Sequence, residues 1–454
     1  MFRPTLLVAL LGSVSCLGIA FASSVQHEDY ITSKKTYLPQ QHWESYSQPP
    51  QGYQIAMVQH LARHGSRGLS SPDDDDLMLQ LWQQAQQEGA LTPLGETLGP
   101  EIERLMVVQQ RIGYGELSTL GRQEHAEMAT RLLQRHPELF SEPVSRPIVI
   151  SHSGRSRAAQ SGEAFVQQML DEMPSLNAIT QPAYASPATV YFNEESAAYE
   201  DYSDNDPRLL KAMQQILTHP QSVQVIDQIL LRLFNEDFVQ RLHNGDYHFV
   251  AADDEDDTLS TPWEAVEALY GLYTVAPNLR ADATLNFSPF LPDEYASWLA
   301  YIDDADSFYG RGPGFVGDDI TYRAADALFA EMIAQIEQLQ HAPDSAVLAS
   351  LRFSHAQATM PAATWLQLEN TQYQVTEDQP YTYASNPWRA AEVSPMGANI
   401  QWDIYTNDHH DILVRMLHNE REVPFAEQCT PLEGHTYFYQ FTELQRCFTV
   451  IHGL

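Results

Sequence analysis

In the stretch VQHLARHGSRG, residues 58–68, Arg63 and Arg67 flank His64. An imidazole acts as a nucleophile only through an unprotonated ring nitrogen, and neighbouring guanidiniums disfavour the imidazolium. Guanidiniums also stay charged and present a planar fork that matches phosphate oxygens. The combination points to an oxyanion site with a nucleophile at its centre. The plain alternative is a turn with solvated arginines. Two further segments bear on the choice: SHSGRSR (151–157), which carries Arg155 and Arg157, and SHAQ (354–357), which carries His355 and Gln357.

Each of these loops follows an apolar run. YQIAMVQHLA (53–62), RPIVIS (146–151) and AVLASLRFS (346–354) read as buried strands. STLGRQEHAEMATRLLQRHPELF (118–140) has helical spacing, with Ser118 as its cap and Pro137 near its stop. A second helix is expected over 157–173, and PAATWLQL (361–368) is expected to start a third. NIQWDIYT (399–406) and DILVRMLHN (411–419) read as late strands, the second running into a loop at NEREVPF. Strands alternating with helices imply an α/β protein, a mostly parallel sheet with helices on both faces. Such sheets bind ligands outside the carboxyl ends of their strands. Three loops bearing Arg, His and Ser would meet there in one crevice, and that favours the oxyanion reading.

Between 174 and 320 the texture changes to helical runs with acidic breaks such as DYSDND and DDEDD. This stretch reads as a mainly helical cap inserted into a core of residues 23–173 and 321–454. The first segment, MFRPTLLVALLGSVSCLGIAFASS, has Arg3, an apolar run and Ala20-Phe21-Ala22, the pattern of a signal peptide removed after residue 22. A lipoprotein reading through Cys16 is weaker, because Ser13 stands where a lipobox wants Leu or Val. The mature chain is expected to be exported, periplasmic or secreted, and no later run is long and apolar enough to span a bilayer. Of the three cysteines, Cys429 and Cys447 then remain, and an oxidising compartment favours pairing them.

The net charge is −35, and only three lysines occur, Lys34, Lys35 and Lys211. Such a field repels nucleic acid and anionic membranes, so the expected partner is a small molecule. It also repels small phosphate esters unless a local cationic cluster overrides it. An acidic working pH would relieve part of this charge.

The residues resemble the histidine acid phosphatases, whose signature is R-H-G-x-R after the first strand. The resemblance is nearest to the multiple inositol polyphosphate phosphatases and their bacterial, phytase-like relatives, and it covers most of the mature chain. GELSTLGRQEH (115–125) is similar to the family's L-T-x-x-G stretch, and RAAQSGEAF (157–165) to its R-x-x-x-S-x-x-A-F pattern. SFYGRGPG (307–314), RFSHAQATMP (352–361) and SPMGANIQWDIY (394–405) resemble later landmarks. The resemblance implies a phosphoglycerate-mutase-like α/β core and metal-independent hydrolysis of phosphomonoesters without a cofactor. It also implies a phosphohistidine on His64. Arg63, Arg67 and Arg157 would clamp the phosphoryl group, and His355 would add a donor. Arg155 fits the family's spacing poorly and is placed on the rim.

One position departs from the family. Where the resembled enzymes carry Glu, or a neighbouring Asp, to protonate the leaving alcohol, this chain has Gln357. An amide donates a hydrogen bond but not a proton. Three outcomes stay open: another carboxylate substitutes, drawn from Asp73–Asp76; turnover is slow or confined to good leaving groups; or the protein binds phosphates without turnover. The run PDDDDLMLQLWQQA itself reads first as a helix start. The resembled phytate-degrading enzymes tend to carry lysines around the pocket rim. By the resemblance, the scarcity of lysine here argues against highly phosphorylated inositols as preferred substrates, and sugar phosphates stand second to inositol phosphates. NDHHD (407–411) lacks supporting ligands and reads as a solvated loop rather than a metal site.

Overall fold

The computed structural model describes residues 30–141, 145–193 and 195–453. The expected leader lies outside them. Eight strands form one sheet: β1 Gln54–Arg63, β2 Ile148–His152, β3 Tyr184–Ala185, β6 Ala349–Ser354, β7 Asn399–Thr406, β8 Ile412–His418, β9 Arg421–Val423 and β10 Phe438–Gln440. A separate hairpin pairs β4 Phe249–Val250 with β5 Thr258–Leu259. The sheet order is β10-β8-β7-β1-β6-β2-β3, with β9 on β8. From β1 through β6 and β2 to β3 the pairs are parallel, and from β1 through β7 and β8 they are antiparallel. The protein is therefore α/β with a mixed sheet. Its parallel half needs long crossovers, whereas β7 and β8 are joined by the exposed Asn407–Asp411 hairpin loop.

β1 is central and buried after its first residue. Its alternation sends Met57 and Leu61 into one core and Val58 and Ala62 into the other. A bulge between Ile55 and Met57 shifts that alternation, so Ile55 shares a core with Val58. One face is covered by α3 Thr119–Arg135, α4 Pro137–Ser141 and α5 Ser156–Glu172, through Leu132, Phe140 and Phe165. The larger core on the other side holds Phe329, Trp365 and Trp402 and continues into the helical layer.

That layer contains α6 Pro187–Val190, α7 Ala197–Asn205, α8 Pro207–Leu217, α9 Pro220–Leu233, α10 Glu236–His243, α11 Pro262–Val275 and α12 Asp293–Arg311. Of its acidic breaks, DYSDND closes α7 and supplies the cap of α8, and DDEDD lies in the loop between β4 and β5. Asp206 accepts from the backbone of Arg208 and Leu209 ahead of α8, and Thr261 with Glu264 forms a capping box on α11. Two earlier helices, α1 Asp73–Gln87 and α2 Leu98–Ile112, join this layer, α1 packing on both α2 and α11. The chain ends with α13 Asp326–His341, α14 Ala356–Trp365, α15 Ala390–Val393 and α16 Phe441–His452. Among the described residues no helix is long and apolar enough to cross a membrane.

Two local expectations change. The helix expected to start at Pro361 begins at Ala356 and holds Pro361 inside it. Proline there forgoes a turn's hydrogen bond, but every residue of α14 except Gln357 is buried, and packing decides. NEREVPF is not a plain loop: Asn419 and Glu420 turn with φ of 49° and 58°, and β9 returns antiparallel along β8. Cys429 and Cys447 form the expected disulfide, with Cα atoms 5.2 Å apart.

Candidate active site

The loop RHGSRG leaves the carboxyl end of β1 beside the end of β6. His64 N donates to Ser354 O at 2.8 Å, and His64 O accepts from Gly397 N at 3.0 Å. The motif stretches named from sequence hold this loop in place. Ser118 Oγ donates to Ser66 O at 2.9 Å, and Glu124 accepts from Ser66 N and Ser66 Oγ at 2.7 Å each. Gly65 and Gly121 let two backbones touch: a Cβ on Gly65 would collide with the Gly121 carbonyl, and one on Gly121 with that of Ser66. Ser161 accepts from Gly65 N at 3.2 Å and donates to Arg157 O at 2.8 Å, which ties the start of α5 to the same loop.

His64 is buried, and its Nδ1 lies 2.9 Å from Gly65 O. A carbonyl only accepts, so Nδ1 carries the hydrogen and the lone pair sits on Nε2. Burial holds the ring's pKa well below the usual histidine value, and His355, Arg63, Arg67 and Arg157 lower it further. Desolvation thus leads and the cations follow, where the sequence argument invoked the cations alone. His355 caps α14, and its ring centroid lies 5.2 Å from that of His64. Its Nε2 meets Ser153 Oγ at 2.7 Å, and its Nδ1 accepts from Arg157 Nε at 3.3 Å. Burial, then Arg157, Arg63, Arg67 and Arg155, bring it down to about 2. Tyr191 packs on the ring at 4.4 Å.

Arg63 is buried and donates from Nη1 to Ser33 O at 2.6 Å and Ser394 O at 2.7 Å. Arg67 is buried too and donates from Nη1 to Gly68 O at 2.6 Å. The Nε atoms of both are buried without a hydrogen-bond partner, and among the described residues neither guanidinium pairs with a carboxylate. Burial, then Arg67, Arg311 and Arg157, bring Arg63 down to about 9 with Asp303 opposing, and burial, then Arg157, brings Arg67 to about 10, so both remain cations at physiological pH. Asp303 offsets this charge only from a distance, buried charge without a paired carboxylate is costly, and an anion at this point lowers that cost.

The three segments converge as expected, with Arg63, Arg67, His64, Arg157 and His355 around one point. Arg155 is exposed at the helix start but close enough to lower His355. Gln357 is half-buried in the first turn of α14. Asp73–Asp76 form the first turn of α1, as the helix-start reading expects.

Sequence reasoning missed Lys34, whose pKa is pushed well down first by Arg67, then by burial and Arg63. It lies far upstream of any motif, so no local pattern marked it. Arg311, inside SFYGRGPG, adds its charge beside Arg63. Ser153 and Tyr191 also went unmarked, although Ser153 stands within SHSGRSR.

A histidine with a free Nε2 lies among buried cations that no carboxylate pairs at the carboxyl ends of parallel strands, an α/β arrangement suited to an anion beside a ring nitrogen able to attack it. The model of the histidine phosphatase superfamily, branch 2, matches residues 54–419, and the chain belongs to that family. It is a phosphatase by that membership. Among solved structures it is similar to the multiple inositol polyphosphate phosphatase of Bifidobacterium longum. The complex with inositol hexasulfate has a TM-score of 0.86 at 28% identity, covering 93% of this chain and 98% of that one. The phosphate complex gives 0.87 with the same identity and coverage. The phytase from D. castellii shares the fold, with a TM-score of 0.64 at 15% identity over 93% of this chain and 84% of that one. No curated protein matches the chain.

Proposed function

We propose that this phosphatase hydrolyses phosphomonoesters in two displacements on His64, with inositol phosphates as first substrates and sugar phosphates second. The observation that carries the reading is His64 itself. Its Nδ1 is held by Gly65 O and its Nε2 lone pair is left among Arg63, Arg67 and Arg157. In the first step Nε2 attacks phosphorus and the phosphorus–alcohol oxygen bond breaks. The guanidiniums and His355 take up charge on the equatorial oxygens. In the second step water attacks phosphorus, the P–N bond breaks, and inorganic phosphate leaves with His64 restored. The likeness to a phosphatase crystallised with inositol hexasulfate supports the inositol phosphate class.

Gln357 supplies no proton to the leaving alcohol, which takes one from solvent or from the ester's own monoanion. Good leaving groups are therefore favoured. Gln357 is also what supports the second reading, a phosphoester-binding protein without efficient turnover. The deciding experiment follows release of inorganic phosphate from an aryl phosphate and from inositol and sugar phosphates across pH 3 to 8, with His64→Ala as blank. Release by the wild type alone supports hydrolysis on His64. Saturable phosphate binding without release supports the second reading.

The helices between 174 and 320 act in this reading as a cap over the clamp, as Tyr191 and Arg311 reaching the site suggest. Export is part of the same reading, supported by the Cys429–Cys447 disulfide.

A further inference from the structure

Beside the clamp lies a cavity of about 320 Å³, within the range of small-molecule sites. Its lining has two opposed characters. One side carries the basic groups Lys34 and Arg67 and adjoins the proposed phosphoryl site. The other is carboxylate: Asp73 and Asp74 from α1, Asp257 ahead of β5, and Glu267 from α11. Glu264 also borders it but is occupied in capping α11 through Ser260 N and Thr261 N. Helix α11 makes room for the wall at Gly271, where a Cβ would come 2.5 Å from Asp74 Oδ2. The buried Nε of Arg67 has no partner. The two histidines do not line this cavity, so it adjoins the clamp rather than containing it.

An ester whose phosphoryl group sits in the clamp must put its alcohol in an adjoining space. Carboxylates there accept charge-assisted hydrogen bonds from hydroxyls, and they repel a second phosphate. We infer that this acidic wall is the alcohol subsite, and that Asp74 and Glu267 select a hydroxyl-rich polyol monophosphate over a polyphosphate. The inference rests on the clamp holding the phosphoryl group, as proposed above. It narrows that reading to esters carrying one phosphate.

The wall also titrates. Burial first raises Asp74 to about 6, with Lys34 opposing and Asp73 and Asp257 adding to the rise. Burial first raises Glu267 to about 7, with Asp74, Asp306, Asp303 and Glu264 adding to it. Both are anionic at pH 8 and largely protonated at pH 5, so repulsion of a second phosphate is strongest at the alkaline end.

The test compares kcat/KM for myo-inositol 1-phosphate and myo-inositol hexakisphosphate in the wild type, Asp74→Asn and Glu267→Gln. The ratio of the two values within one preparation does not depend on how much protein has folded. At pH 8 the wild type is expected to favour the monophosphate by about tenfold or more, and each substitution to move the ratio about fivefold towards the hexakisphosphate. The difference between wild type and variants is expected to shrink at pH 5. A wild type that favours the hexakisphosphate, or a ratio within twofold of wild type in both variants, overturns the inference. Absence of release from every ester would instead bring down the reading of the clamp, and this inference with it.

Discussion

Two regions of this molecule are built from the same residue types and behave in opposite ways. On the antiparallel half of the sheet, Arg415 meets Asp403 at 2.7 Å and Glu422 at 3.3 Å. Arg131 meets Glu420 at 2.7 Å, and His136 stands 3.1 Å from Asp403. Burial opposes ionisation of Asp403, yet His136 and Arg415 hold its carboxyl far below the ordinary range. At the carboxyl ends of the parallel half, Arg63 and Arg67 meet only carbonyls. The first region is electrically closed and stabilises the fold. The second is open, and in the proposed function the phosphoryl group supplies its missing charge. A buried arginine therefore says little until its counter-charge is found.

The largest expected effect breaks the open region at its centre. His64→Ala should lower hydrolysis of an aryl phosphate by on the order of 10⁴-fold or more, measured as phosphate release. In the closed region, Asp403→Asn leaves Arg415 with Glu422 alone and removes the carboxylate beside His136. It should cost about 3–5 kcal/mol in urea unfolding while leaving the affinity of the folded protein for phosphate unchanged. Gln357→Glu restores a proton donor and should speed alkyl esters by about 10²-fold with aryl esters changing little. Equal acceleration of both classes would remove Gln357 from the leaving-group side.

The smallest effect concerns pH. The folded pKa of His64 is depressed, so its neutral form persists at pH values where an ordinary histidine is half protonated, near 6.5. The acid limb of kcat/KM for an aryl phosphate should therefore lie below the ordinary histidine range. In Arg67→Met, which removes one of the charges lowering it, that limb should move upward.

Much of this site is legible along the chain. Arg63, His64, Arg67 and Arg157 stand in two short motifs, and His355 stands at the end of a strand whose apolar run is unmistakable. The disulfide follows from two cysteines and an inferred compartment. What escaped depends on distance in the chain. Lys34 reaches the clamp because the segment before β1 folds over it, with Ser33 O bound to Arg63 and Lys34 O bound to Asn278. The antiparallel half is set by a hairpin and a two-residue turn at Asn419 and Glu420, whose polar residues look like a loop until Arg131 buries one of them. The early start of α14 runs against the usual place of proline and is decided by burial. Desolvation of His64, the first cause of its low pKa, is a property of the packed core.

The central claim is that the clamp is a cluster of buried cations short of an anion. Thermal melting of the wild type and Arg67→Met, each with and without inorganic phosphate, tests it most directly. Phosphate at about 100 times its Kd should stabilise the wild type by roughly 2.7 kcal/mol. Arg67→Met should melt above the wild type in the absence of phosphate and respond to it weakly. A wild type indifferent to phosphate, or an Arg67→Met protein that melts lower without phosphate, would contradict the account.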